Sequence, residues 1–80
     1  MDEAARFRFV VESDPADDAL VRLLAPFMVQ QAAVEAVEHT ASEAAARTVI
    51  RASRLARRRA ETLARRLEAL PFVRSVGFGW

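Results

Sequence analysis

The hydrophobic period of this chain changes once, early and abruptly, and that change narrows the folds open to it. From Arg6 to Glu12 the side chains alternate, with Phe7, Phe9 and Val11 on one side and Arg6, Arg8 and Glu12 on the other. That is the period of a strand with one buried face. Leu20, Leu23, Leu24, Phe27 and Met28 then follow at i, i+3, i+4, i+7 and i+8, one apolar stripe on a helix. Between the two periods lies Ser13-Asp14-Pro15, with Asp17 and Asp18 next. Acidic residues there are expected to cap the helix and to suit its positive end. Burial of the stripe residues is worth about 1.5–3 kcal/mol each before entropy is charged. The rest of the chain must supply what this strand and helix pack against.

Strand one is expected over 6–12 and helix one over 17–28. Pro26 lies inside that helix. It removes the bond to the carbonyl of Arg22, at a cost of about 3 kcal/mol in a helix interior, so a bend or an early stop is expected. Residues 30–46 read two ways. Alanine, glutamate and glutamine favour helix, whereas Val34 to Thr40 can run as a half-polar strand closed by a hairpin loop at Thr40-Ala41-Ser42-Glu43. The strand is preferred, because it completes an architecture and tertiary context overrides propensity. Residues 47–53 form a further strand. A second helix over 56–70 carries Ala56, Ala60, Leu63, Ala64, Leu67 and Leu70 on one face and ends at Pro71. A last strand over 73–79 places Val76, Phe78 and Trp80 opposite Ser75, Gly77 and Gly79.

Residues 1–5 are then a flexible lead-in and 6–80 a single domain. The fold class is α+β, a ferredoxin-like βαββαβ sandwich. Right-handed crossovers give a four-stranded antiparallel sheet in the order 4-1-3-2 with both helices on one face. The expected core is Phe7, Phe9, Val11, Leu20, Leu23, Leu24, Phe27, Val34, Ile50, Leu63, Leu67, Leu70, Val76 and Phe78.

Eighty residues make one domain that buries about 60% of its unfolded surface. Such a core leaves little room for a catalytic cleft or a cofactor domain, so no catalytic residue and no cofactor are expected. With no cysteine there is no disulfide frame and no thiolate site. No apolar run approaches the ~20 residues of a membrane span, and the acidic start does not read as a signal peptide. A cytoplasmic protein is the expectation. His39 is the only histidine, and a lone imidazole makes no metal site. The net charge is +1 but uneven: residues 1–46 hold nine acids and three arginines, residues 47–80 nine arginines and two glutamates. Such halves can attract each other or recruit an anionic partner. Arg57, Arg58 and Arg59 open helix two, where the dipole disfavours cations.

Several stretches resemble the ACT domain. They are Val11-Glu12-Ser13-Asp14-Pro15, a helix closing on Phe27, Val34-Glu35-Ala36-Val37, and Leu67-Glu68-Ala69-Leu70-Pro71-Phe72-Val73. The likeness is greatest to the small regulatory subunits of acetohydroxyacid synthase (acetolactate synthase), of the short single-domain type, and covers about 6–79. It implies side-by-side dimers and regulation of a thiamine-diphosphate synthase by branched-chain amino acids. On this chain the dimer contacts fall on Val34, Ala36, Glu38 and Thr40. The effector site falls on Ser13, Asp14, Asp17, Asp18, Ala33 and Val34. The sequence departs from the family in places. A first-turn asparagine is replaced by Ser13, a glycine after the proline by Ala16 or Asp18, and the glycine ending helix one falls near Gln31. The Asn-Ile pair opening strand two becomes Ala33 and Val34.

The open sheet face should show Arg8, Val10, Val37, Val49 and Arg51, a mixed surface for a large catalytic chain. The alternative is an RNA-binding module of the same topology using this arginine-bearing face. Such modules stack bases on aromatics of the first and third strands. Here Phe7 and Phe9 share the phase that faces the helices, and strand three has no aromatic. A small enzyme of this fold ranks last, since no asparagine and no glycine-cradled arginine is present.

Overall fold

The computed structural model describes residues 5–79. The elements run β1 (Ala5–Ser13), α1 (Ala19–Val29), β2 (Ala33–Ala41), β3 (Ala46–Leu55), α2 (Arg57–Glu68) and β4 (Val73–Gly79). All strand pairs are antiparallel, and the sheet order is β2-β3-β1-β4. This is the expected ferredoxin-like architecture. Apart from Ala5, which opens β1, the lead-in lies outside the described residues, as does Trp80.

The ambiguous stretch resolves as strand and hairpin. Pairing with β3 along its whole length holds Ala33–Ala41 extended against its helical propensity. At the hairpin, Ser42 Oγ accepts from the amides of Ala44 and Ala45. Pro26 does not stop α1, which continues to Val29. The helix ends instead in a Schellman pattern, with Gln31 N donating to Met28 O at 3.0 Å and Ala32 N to Phe27 O at 3.1 Å. Gln31 stands in the left-handed region at φ 58°, the place expected for a glycine.

The core forms between the sheet and both helices. Phe9 is its hub: its ring meets Phe27 edge-on at 5.0 Å and stacks on Phe78 at 5.6 Å. Phe7, Phe9, Val11, Leu23, Phe27, Ile50, Leu63 and Leu67 are buried as expected. Leu20, Leu24, Val34, Leu70, Val76 and Phe78 are only half-buried, because they lie toward the sheet edges or the flanks of the helices. The core also takes in Ala19, Ala52, Leu55, Ala60, Ala64 and Phe72, which the expected core did not include. Leu55 joins it because β3 runs past residue 53 through a bulge opposite Ala5–Phe7, with Arg54 at φ 58°.

A second bulge corrects the expected face of Val37. Val34 lies opposite Ala52 and Ala36 opposite Arg51, so Glu35 is the extra residue in β2. One extra residue inverts the side-chain phase beyond it. Val37 therefore lies opposite Ile50 on the helix side, while Ala36, Glu38 and Thr40 take the open side. Val49 does lie on the open side, opposite Val10 and Glu38. It is nevertheless only 8% exposed, being at the middle of a central strand.

Candidate functional site

The turn between β1 and α1 is built by backbone bonds and one long side chain. Ser13 ends β1 fully buried, and its hydroxyl has no hydrogen-bond partner among the described residues. Asp14 N donates to Phe72 O at 2.8 Å, which ties the turn to the start of β4. A bulge opposite Glu12–Ser13 makes Arg74 the extra residue of β4. Arg74 Nε donates to Asp14 Oδ1 at 2.7 Å, and its Nη2 donates to Ala44 O at 2.9 Å. One guanidinium thus clasps the first turn to the β2–β3 hairpin. Nothing in the spacing of the sequence announces this role for Arg74; a lone arginine beside a bulge gives no signal.

The expected helix cap is not formed. Asp18 is the N-cap residue, but at φ −100° and ψ 16° it makes no side-chain cap bond. An N-cap carboxylate folds back on the helix from extended backbone, and Asp18 is not extended. Asp14 is held by Arg74, so capping explains none of the three aspartates. Asp17 and Asp18 are exposed, and no side-chain partner engages them among the described residues.

The other expected half of the site, Ala33 and Val34, lies at the opposite end of the sheet. Ser13 faces Ala46, which faces Ala41, whereas Val34 faces Ala52, which faces Phe7. Phe7 and Ser13 are separated by about 20 Å along the strand at ~3.3 Å per residue. A single chain therefore does not bring the six residues together. A second chain with its β2 laid antiparallel to this one would place its Ala33 end beside this Ala41 end.

The free edge of the sheet lies beside exposed apolar side chains. β2 is an outer strand of the sheet. Beside it, α1 buries Ala19, Leu23 and Phe27, while Arg22, Pro26 and Val29 line a groove shared with Arg66, Ala69 and Leu70. The remaining flank of α1, away from α2, carries Leu20, Val21, Leu24 and Met28. Val21 is 72% exposed and Met28 71%, and the partly exposed Val37 on β2 extends the apolar surface. His39, also on β2, is engaged within the sheet. Its Nδ1 bonds Thr48 Oγ1 at 2.8 Å and so satisfies a buried hydroxyl.

The open face reads in three cross-strand rows from β2 to β4: Ala36, Arg51, Arg8, Gly79; then Glu38, Val49, Val10, Gly77; then Thr40, Arg47, Glu12, Ser75. Arg47 pairs with Glu12 at 3.5 Å, and Arg6 pairs with Glu35 at 3.6 Å. Arg47–Glu12 and Arg74–Asp14 partly join the acidic and basic halves of the chain, whereas Arg6–Glu35 lies within the acidic half. Arg57 pairs with Glu61 one turn along, and Arg59 donates to Gln30 O at 3.4 Å. Phe7, Phe9 and Phe78 turn toward the helices, which leaves the open face without an aromatic platform among the described residues. No group of three or more metal-ligating side chains occurs among the described residues.

No family model matches the sequence, and no curated protein is significantly similar to it. Among solved structures, the ACT domain of a GTP pyrophosphokinase from Chlorobium tepidum superposes with a TM-score of 0.77 at 11% identity. The match covers 99% of this chain and 100% of that one. At that identity it is the fold that is shared.

Proposed function

We propose that this chain is a non-catalytic regulatory subunit of the ACT type, working as a homodimer on a larger catalytic chain. The observation that carries the reading is the outward apolar flank of α1, Val21 and Met28, beside an uncovered β2 edge that adds Val37. A solvated helix has no reason to keep such residues together, and an open edge strand invites pairing. A two-fold axis at β2 covers the edge and the flank at once. Val34, Ala36, Glu38 and Thr40 then meet their copies. The same axis brings Ser13, Asp14, Asp17 and Asp18 of one protomer toward Ala33 and Val34 of its partner.

The catalytic chain is a thiamine-diphosphate synthase of the acetohydroxyacid synthase kind, and the effector class is a branched-chain amino acid. The sequence resemblance supports both. The turn is poorly equipped for that effector. Asp14 is engaged by Arg74, leaving Asp17 and Asp18 to hold an ammonium group and Val34 to wall an aliphatic side chain. For the carboxylate there is no glycine in the turn to let backbone amides approach and no side-chain amide. Repulsion by two free carboxylates adds to the cost. The subunit therefore binds valine weakly or not at all and stabilises its catalytic partner more than it transmits feedback. Titration calorimetry with valine, leucine and isoleucine tests the site, and micromolar affinity for any of them contradicts it. Co-purification from the native host tests the partner. A thiamine-diphosphate synthase should be recovered with the chain, and its absence counts against the assignment.

A further inference from the structure

The first row of the open face sets two arginines against each other. Arg8 and Arg51 are direct cross-strand partners, an arrangement of like charges that destabilises a sheet. Their row is closed by Ala36 and Gly79, neither of which can neutralise them. Arg6 and Arg47 on the same face have glutamate partners; Arg8 and Arg51 have none among the described residues. Among the described residues nothing covers them. A depression of ≈ 560 Å³ is bounded by Arg6, Phe7, Arg8, Glu35 and Arg51, and another of ≈ 200 Å³ by Arg8, Val10, Gly77, Phe78 and Gly79. A Cβ added at Gly77 or Gly79 would meet nothing within 4 Å. The next row, two residues along or about 6.8 Å away, presents the half-buried Val10 beside Val49, which is buried and only floors the row.

The geometry points to a docking site for an acidic–aliphatic helix of the partner protein, with a carboxylate between Arg8 and Arg51 and an aliphatic side chain on Val10, over the floor that Val49 forms. The inference rests on the reading that the chain binds a larger protein, and it names the chemistry of what that protein presents. Residues four apart on a helix are separated by about 6 Å along its axis, close to the row spacing. Guanidinium pairs take carboxylates through charge-assisted, often bidentate bonds. A nucleic acid fits less well, because among the described residues the rings bordering this face, Phe7 and Phe78, turn toward the helices and leave none to stack a base.

The probe is a synthetic amphipathic helix with glutamate and leucine one turn apart, titrated into the isotope-labelled chain. Amide shifts should concentrate on Val10, Val49, Arg51 and Gly77. The R8E/R51E double variant should bind at least about tenfold more weakly, whereas R65E/R66E, with the same charge change on α2, should lose less than about threefold. The milder R8Q/R51Q pair keeps the test valid if the charge reversal unfolds the sheet. Equal losses in both charge-reversed variants, shifts away from the open face, equal binding of a lysine-for-glutamate peptide, or tighter binding of oligouridylate would each overturn the proposal. Light scattering on the same samples separates the two readings. A dimer that no longer binds the peptide locates the docking face alone, and a monomeric wild type that still binds it defeats the dimer but not the docking site.

Discussion

Gln31→Gly should make the domain more stable. Gln31 is held at φ 58°, where an L side chain crowds the following carbonyl, at a cost of about 1–2 kcal/mol. Glycine removes that cost but gives the unfolded chain more freedom, which takes back about 0.4–1 kcal/mol. The side chain is exposed, and the Schellman bonds from Gln31 N and Ala32 N are backbone bonds that glycine keeps. The net gain is about 0.5–1 kcal/mol, which raises Tm by roughly 2–8 °C in a domain this small. Urea and thermal unfolding of both proteins at one shared concentration measure it, since the stability of the proposed dimer depends on concentration. Gln31→Val should move the opposite way, because a β-branched residue tolerates this region least. An unchanged or lower midpoint for Gln31→Gly, with the helix signal intact, would refute the reasoning.

Ser13→Ala removes a buried hydroxyl that has no partner among the described residues, so it should stabilise by about 1 kcal/mol in urea unfolding. Arg74→Ala opens the clasp on Asp14 and Ala44 O; at half exposure the loss is about 0.5–1 kcal/mol, shrinking in high salt. Hydrogen exchange should quicken at the β2–β3 hairpin in that variant. Arg51→Gln relieves the like-charge pair with Arg8 and should raise stability by a few tenths of a kcal/mol, read as a higher urea midpoint.

Much of the fold could be read from period and punctuation. Phe7, Phe9 and Val11 alternate, Leu23 and Phe27 recur at helical spacing, and Pro71 ends α2, so each element follows from local pattern. The strand over Ala33–Ala41 needed the whole architecture, because its composition favours helix. The misplacement of Val37 came from Glu35: a bulge is one residue of register, and no residue type there marks it. Asp18 looked like a cap because its identity is right, yet capping depends on backbone angles that the identity does not set. The clasp by Arg74 joins residues sixty positions apart and leaves no local trace. Gln31, by contrast, stood out through the family's glycine, and the structure gives that glycine its reason.

The central claim is the dimer, because the composite site exists only if two chains meet at β2. Light scattering at high micromolar concentration tests it most directly, on the wild type and on Met28→Asp, which places a charge on the outward flank of α1. The wild type should have twice the 8.9 kDa chain mass, and the variant should fall toward one chain mass while keeping its fold. A wild type of single-chain mass at that concentration would contradict the account.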